Sequence, residues 1–94
     1  MQLRDNYKYT HITTATTTVV STVPCVLIRI VVNTTAAGTI TIVDNNTGST
    51  PVVGILKASI AEMPFEYGIQ LVTGLSIITA GASDLTIVTS QAPF

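Results

Sequence analysis

Apolar and polar residues alternate with a period of two along most of this chain. In "GTITIVDNNTG", Ile40 and Ile42 fall on one face and Thr39 and Thr41 on the other, and Asp44 to Gly48 closes the run as a turn. In "PFEYGIQLVTG", Phe65, Tyr67, Ile69 and Leu71 share a face opposite Glu66, Gly68 and Gln70. Leu75 and Ile77 alternate with Ser76 and Ile78 in "GLSIITAG", and Leu85 and Ile87 with Thr86 and Val88 in "SDLTIVTS". Each run predicts a half-buried antiparallel strand, with one face on a core and one semi-polar.

Other segments alternate less cleanly. "CVLIRIVVN" is almost continuously apolar, with Val26, Ile28, Ile30 and Val32 opposing Leu27, Arg29 and Val31, and predicts a strand covered at least in part on both sides. "YKYTHIT" and "TTTVVST" are β-branched and aromatic, hence strand-forming. "VVGILKASI" admits a strand or a single helical turn; it is taken as a strand with Leu56, Ala58 and Ile60 inward. Turn residues fall at Pro24, Ala36 to Gly38, Asn45 to Gly48, Pro51, Pro64, Gly74 and Gly81 to Asp84, at roughly the 8–12-residue spacing of a sandwich. Seven to eight short strands and no helix predict an all-β fold, a single antiparallel β-sandwich. Periodicity leaves open whether its topology is jelly-roll or immunoglobulin-like. The 94 residues read as one domain over 1–94, with 1–6 an N-terminal arm and 90–94 a short C-terminal tail.

Composition adds an anomaly. Hydrophobic residues make up 47% of the chain but charged residues only 10%, against about 25% in an ordinary globular domain. A net charge of -1 gives no basic nucleic-acid footprint. Thr, Ser, Gly and Pro interrupt the uncharged runs, so no stretch reaches the ~18 consecutive apolar residues of a membrane helix. The opening "MQLRDNYK" carries Arg4 and Asp5 with no apolar core behind them and does not read as a secretion signal. The expectation is a chain made in a cytoplasm, which the lone Cys25 fits.

Catalytic and metal chemistry find no motif. His11 is the single histidine and reads as a strand residue at an edge or interface, since no nearby pattern supplies a nucleophile or an orienting group. Cys25, following Pro24 at the start of an apolar run, reads as a small buried hydrophobe. Asp44, Asn45, Asn46 and Thr47 are oxygen-rich but offer one carboxylate, so a turn is favoured over a calcium loop. "GASD" reads as a turn in which Asp84 bonds its own backbone. Glu62 and Glu66 are separated by Pro64 and do not form a paired acid site. The glycines occur singly and make no phosphate cradle. The expectation is a non-enzyme with no cofactor and no metal.

The surface then carries the reading. Outward strand positions are Thr, Ser, Val and Gln where a free monomer displays Lys and Glu. Threonine suits a strand and is cheap to desolvate, which fits a chain built into a larger assembly. The order "YKYTHITTATTTVV", "VVNTTAAGTITIVDN", "ILKASI" and "FEYGIQLVTGLSIITAGASDLTIV" resembles the small structural proteins of tailed bacteriophages, over Tyr7 to about Thr89. That resemblance implies a compact β-sandwich on the virion, chiefly a capsid decoration protein of the cement or head-fibre type, made in the host cytoplasm and assembled on the capsid surface.

From these readings the expected partners are the major capsid protein, whose neighbouring subunits the chain would bridge, and further copies of itself in a homotrimer, with no nucleic acid and no membrane. The alternative is a tail-fibre or spike module that binds host-surface glycans. Candidate interface residues are Arg4, Asp5, Asn6 and Lys8 of the polar arm, together with Arg29. Arg29 lies mid-strand among apolar residues, so it must reach water or bind one of the five carboxylates, across a subunit interface on the sharper reading.

Overall fold

A computed structural model describes residues 7–91 and arranges them in eight strands, with no helix among the described residues. The strands are β1 (Tyr7–Ile12), β2 (Thr17–Ser21), β3 (Cys25–Thr34), β4 (Ile40–Val43), β5 (Val52–Leu56), β6 (Pro64–Leu71), β7 (Leu75–Thr79) and β8 (Asp84–Gln91). β8 therefore runs through Ser90 and Gln91, which the sequence reading assigned to a tail.

Pairing runs from the outside of the chain inward: β1 with β8, β2 with β7, β3 with β6 and β4 with β5, all antiparallel. Two further pairings, β3 with β8 and β4 with β7, join these ribbons into sheets of order β1-β8-β3-β6 and β2-β7-β4-β5. One long hairpin rolled so that successive strand pairs alternate between two sheets gives this order, which is the jelly-roll pattern. An immunoglobulin-like sandwich keeps its first two strands adjacent in one sheet, which β1 and β2 are not.

The inner faces of the two sheets make the core. The first sheet contributes Ile12, Cys25, Leu27, Ile30, Val32, Leu71, Leu85 and Ile87, and the second Val20, Ile40, Ile42, Leu56, Leu75 and Ile77. Burying each Leu or Ile removes enough apolar surface from water to contribute about 1.5–3 kcal/mol before chain entropy is subtracted. Phe65, Tyr67 and Ile69 pack against this cluster from β6, on the face that the alternation assigned them.

β3 departs from simple alternation, and the departure removes a charge from the core. Cys25 and Leu27 point inward, so unbroken alternation would send Arg29 inward too. The register against β8 shifts between Leu27 and Arg29, with Ile28 as the extra residue, and the inward set changes phase to Ile30 and Val32. The predicted pairing of Val26 and Ile28 with Ile30 and Val32 on one face is thus corrected. The outer side of β3 is covered in part, as the apolar run predicts, with Val26, Ile28, Arg29 and Val31 half-buried. Against β6 the extra residue lies on the other strand, where Gly68 has φ +63°. A side chain there would strain the backbone that glycine adopts freely.

The segment after Lys57 also differs from expectation. β5 ends at Leu56, and Ala58, expected inward, is exposed, as Ser59 takes a positive φ of 56° and donates its amide to the Ala36 carbonyl. The chain leaves the sheet at this turn, so the alternation has no sheet to follow.

Candidate interaction surfaces

Charge is distributed unequally between the two sheets. Lys8, Arg29, Glu66 and Asp84 lie on strands of the β1-β8-β3-β6 sheet, whereas no residue of β2, β4, β5 or β7 is charged. Register places Thr17, Ile78, Thr41 and Ile55 in one row across the outer face of the second sheet. Val19, Ser76, Val43 and Val52 form the next row. The flanks of this face are open, with Val19 47%, Val52 46% and Ile55 59% exposed. Its middle is closed at one end, where Ser76 and Val43 are buried and the Ser76 hydroxyl donates to the Asn45 carbonyl.

The outer face of the first sheet is polar and aromatic. Tyr7, Tyr9 and His11 project from β1 on that side, because Ile12 at the opposite phase enters the core. Tyr7 is 63% and Tyr9 73% exposed. Tyr9, Val88, Arg29 and Glu66 form one row across this face, and His11, Thr86, Val31 and Pro64 another.

Arg29 uses the exit its bulge provides. Its Nε donates to Glu66 Oε2 at 2.9 Å, and both side chains stay substantially exposed. The carboxylate that the sequence reading sought across a subunit interface is thus present within the chain. Lys8 is exposed on β1 at the phase of Thr10 and Ile12, opposite Thr89, so it does not join Arg29 in one patch. Arg4, Asp5 and Asn6 lie outside the described residues.

At the end of β1, His11 Nε2 lies 2.6 Å from Asp84 Oδ1, and Asn33 Nδ2 donates to the same oxygen at 3.2 Å and to Thr86 Oγ1 at 3.1 Å. Asp84 therefore ties β1, β3 and β8 together, and the expected bond to its own backbone is replaced by these cross-strand partners. The bonds from His11 and Asn33 hold its carboxyl below the ordinary carboxylate value.

Asp44 makes a second clamp. Its Oδ1 accepts the Thr73 amide at 2.9 Å and the Gly74 amide at 3.4 Å, and Oδ2 accepts Val72 at 3.0 Å. Partial burial acts to raise its pKa, but the amides of Thr73, Val72 and Gly74 outweigh it and hold the carboxyl below its usual value. The Asn45 side chain completes the turn, accepting the Asn46 amide at 2.8 Å and donating to the Thr50 carbonyl at 2.9 Å. This carboxylate is occupied by its own backbone. Sequence reasoning placed the turn but not its attachment to the β6–β7 turn.

Burial pushes the Cys25 thiol up and makes it a poor nucleophile, consistent with a small core residue. Burial likewise pushes up the Tyr67 hydroxyl. Among the described residues no group of three or more His, Cys, Asp or Glu side chains is placed to hold a metal ion. Comparison with protein-family models, with characterised proteins and with solved structures finds no match to this chain.

Two features of these surfaces escaped the sequence reading. One is that the charges sort onto one sheet, which becomes visible only once the strand order is known. The other is the outward line of Tyr7, Tyr9 and His11, signalled by their alternation once Ile12 is recognised as the inward residue.

Proposed function

We propose that this chain is a non-enzymatic virion structural protein, a capsid decoration protein that binds the outer surface of the shell and stabilises it by bridging major capsid subunits. The observation that carries this reading is the charge-free sheet β2-β7-β4-β5, whose outer face exposes Thr17, Val19, Val52 and Ile55. A free monomer protects such a face and its edges with Lys and Glu. An uncharged Thr, Val and Ile surface is inexpensive to desolvate and suits a permanent contact, because interface centres are depleted in charge. On this reading the second sheet lies against the shell, and the charged and aromatic sheet faces outward. The class of partner, a major capsid protein, is the one implied by the resemblance read from the sequence motifs alone.

The alternative, a tail-fibre or spike module for host glycans, has one observation in its favour. Tyr7 and Tyr9 are exposed side by side, and aromatic faces stack well on sugar rings. Mass spectrometry of purified virions, with the protein located by a gold-labelled antibody, decides between them. Label over the heads is the expected result, label confined to tails supports the glycan reading, and absence of the protein from virions refutes both.

A further inference from the structure

Four strands form the edges of the two sheets: β1 and β6 in one, β2 and β5 in the other. An edge strand offers unpaired backbone amides and carbonyls, so the partner that fits it is another extended strand. Three of the four edges are interrupted. The ladder of β2 shifts register between Val19 and Ser21, that of β5 opposite Ile42 and Val43, and that of β6 at Tyr67 and Gly68. Such bulges twist an edge away from further pairing. β1 alone pairs without a break, from Tyr7 opposite Ser90 to Ile12 opposite Leu85. No other strand among the described residues lies along its outer side.

We infer that β1 is a self-pairing edge, at which two copies of this chain join antiparallel about a twofold axis to make one continuous eight-stranded sheet. The sequence of β1 chooses the second copy and the register. A twofold perpendicular to the sheet keeps the outer face outward in both copies, so facing residues must come from the same face. With Tyr9 on the axis, the two Tyr9 side chains face each other, each Tyr7 meets the other copy's His11, and each Lys8 meets Thr10. No like charges are opposed, and the exposed aromatic residues become a cross-strand cluster of the kind that stabilises antiparallel pairs. With Lys8 on the axis two ammonium groups would confront each other, and with Thr10 on the axis Lys8 would face the buried Ile12. Tyr9 at the axis avoids both.

This inference does not depend on the virion assignment. It predicts a dimer in free solution where the sequence reading expected a homotrimer.

A charge-swap experiment on the full chain tests it. Tyr9→Asp and Tyr9→Lys each place two like charges at the axis, and Tyr9 is exposed enough for either to fold, which circular dichroism verifies. By sedimentation the wild type is dimeric, and each variant alone dissociates at least about tenfold more readily, the equivalent of 1.4 kcal/mol. Mixing the two variants restores a dimer, which native mass spectrometry identifies as the Asp–Lys heterodimer by its mass. Hydrogen exchange of the wild type supplies a readout free of substitutions, with β1 amides gaining protection as concentration rises and β2 and β5 amides unchanged. A wild type that stays monomeric, a trimer, a dimer indifferent to both substitutions, or protection confined to β2 or β5 overturns the inference.

Discussion

Arg29 Nε lies 2.9 Å from Glu66 Oε2, and the two residues face each other directly across β3 and β6. The register shift at Ile28 is what brings them together, because without it the guanidinium would enter the core. The pair resolves a charge problem; it is not a major source of stability. Exposed ion pairs contribute at most about 1 kcal/mol. Arg29→Ala is accordingly expected to shift the urea unfolding free energy by less than about 1 kcal/mol. The double exchange Arg29→Glu with Glu66→Arg should recover most of any loss. A loss of several kcal/mol would mean that the Arg29 stem supports core packing.

Gly38 lies where the chain before β4 closely approaches the turn between β7 and β8. A Cβ placed there would lie 2.3 Å from the Gly81 amide nitrogen and 2.6 Å from the Ala80 carbonyl carbon, both backbone atoms with little freedom to withdraw. Gly38→Ala should therefore destabilise the sandwich by about 1–3 kcal/mol, the usual cost of overpacking. Thermal unfolding monitored by circular dichroism measures it, and an unchanged midpoint contradicts the close approach.

Thr89 on β8 is fully buried, and its hydroxyl has no hydrogen-bond partner among the described residues. An unsatisfied buried hydroxyl costs roughly 1–3 kcal/mol, whereas valine has nearly the same shape and no polar atom. Thr89→Val is expected to raise stability by about 1 kcal/mol in a denaturant titration. A destabilised variant would reveal a partner for the hydroxyl.

Much of this architecture was legible in the chain. The alternation in β4, β6, β7 and β8 named the inward residues correctly because each of those strands presents one face to the core. β3 was misread because alternation assumes no extra residue, and a bulge at Ile28 leaves no local mark in an all-apolar run. Ala58 was misplaced because the turn after Leu56 is set by the contact of Ser59 with Ala36, which is distant in sequence. The attachments of Asp44 and Asp84 are likewise long-range and depend on strand order. The surfaces were legible as a deficit of charge but not as a division between sheets.

Those two carboxylates also contribute to the acid response. Both are held below their ordinary values in the folded chain, so the folded state binds fewer protons than the unfolded state in that range. Their stabilising effect is fully present above the ordinary carboxylate value near 4 and is lost as the pH falls through the depressed folded values. Unfolding free energy should therefore be level from about pH 5 upward, as far as these groups set it, and decline below about pH 4. Asp44→Asn should lower stability at neutral pH and make the acid decline shallower. An unchanged slope would exclude Asp44 from the transition.

The proposed binding to a capsid surface is tested most directly with shells assembled from the major capsid protein of the phage that would encode this chain on the proposal, with this protein left out. Titrating the purified protein onto them should give saturable binding at a fixed ratio to capsid subunits. The melting temperature of the shell should rise with concentration, since a ligand that binds only the assembled state stabilises it by about 2.7 kcal/mol per site at a hundredfold excess over Kd. Shells that bind none of the protein and melt unchanged would contradict the account.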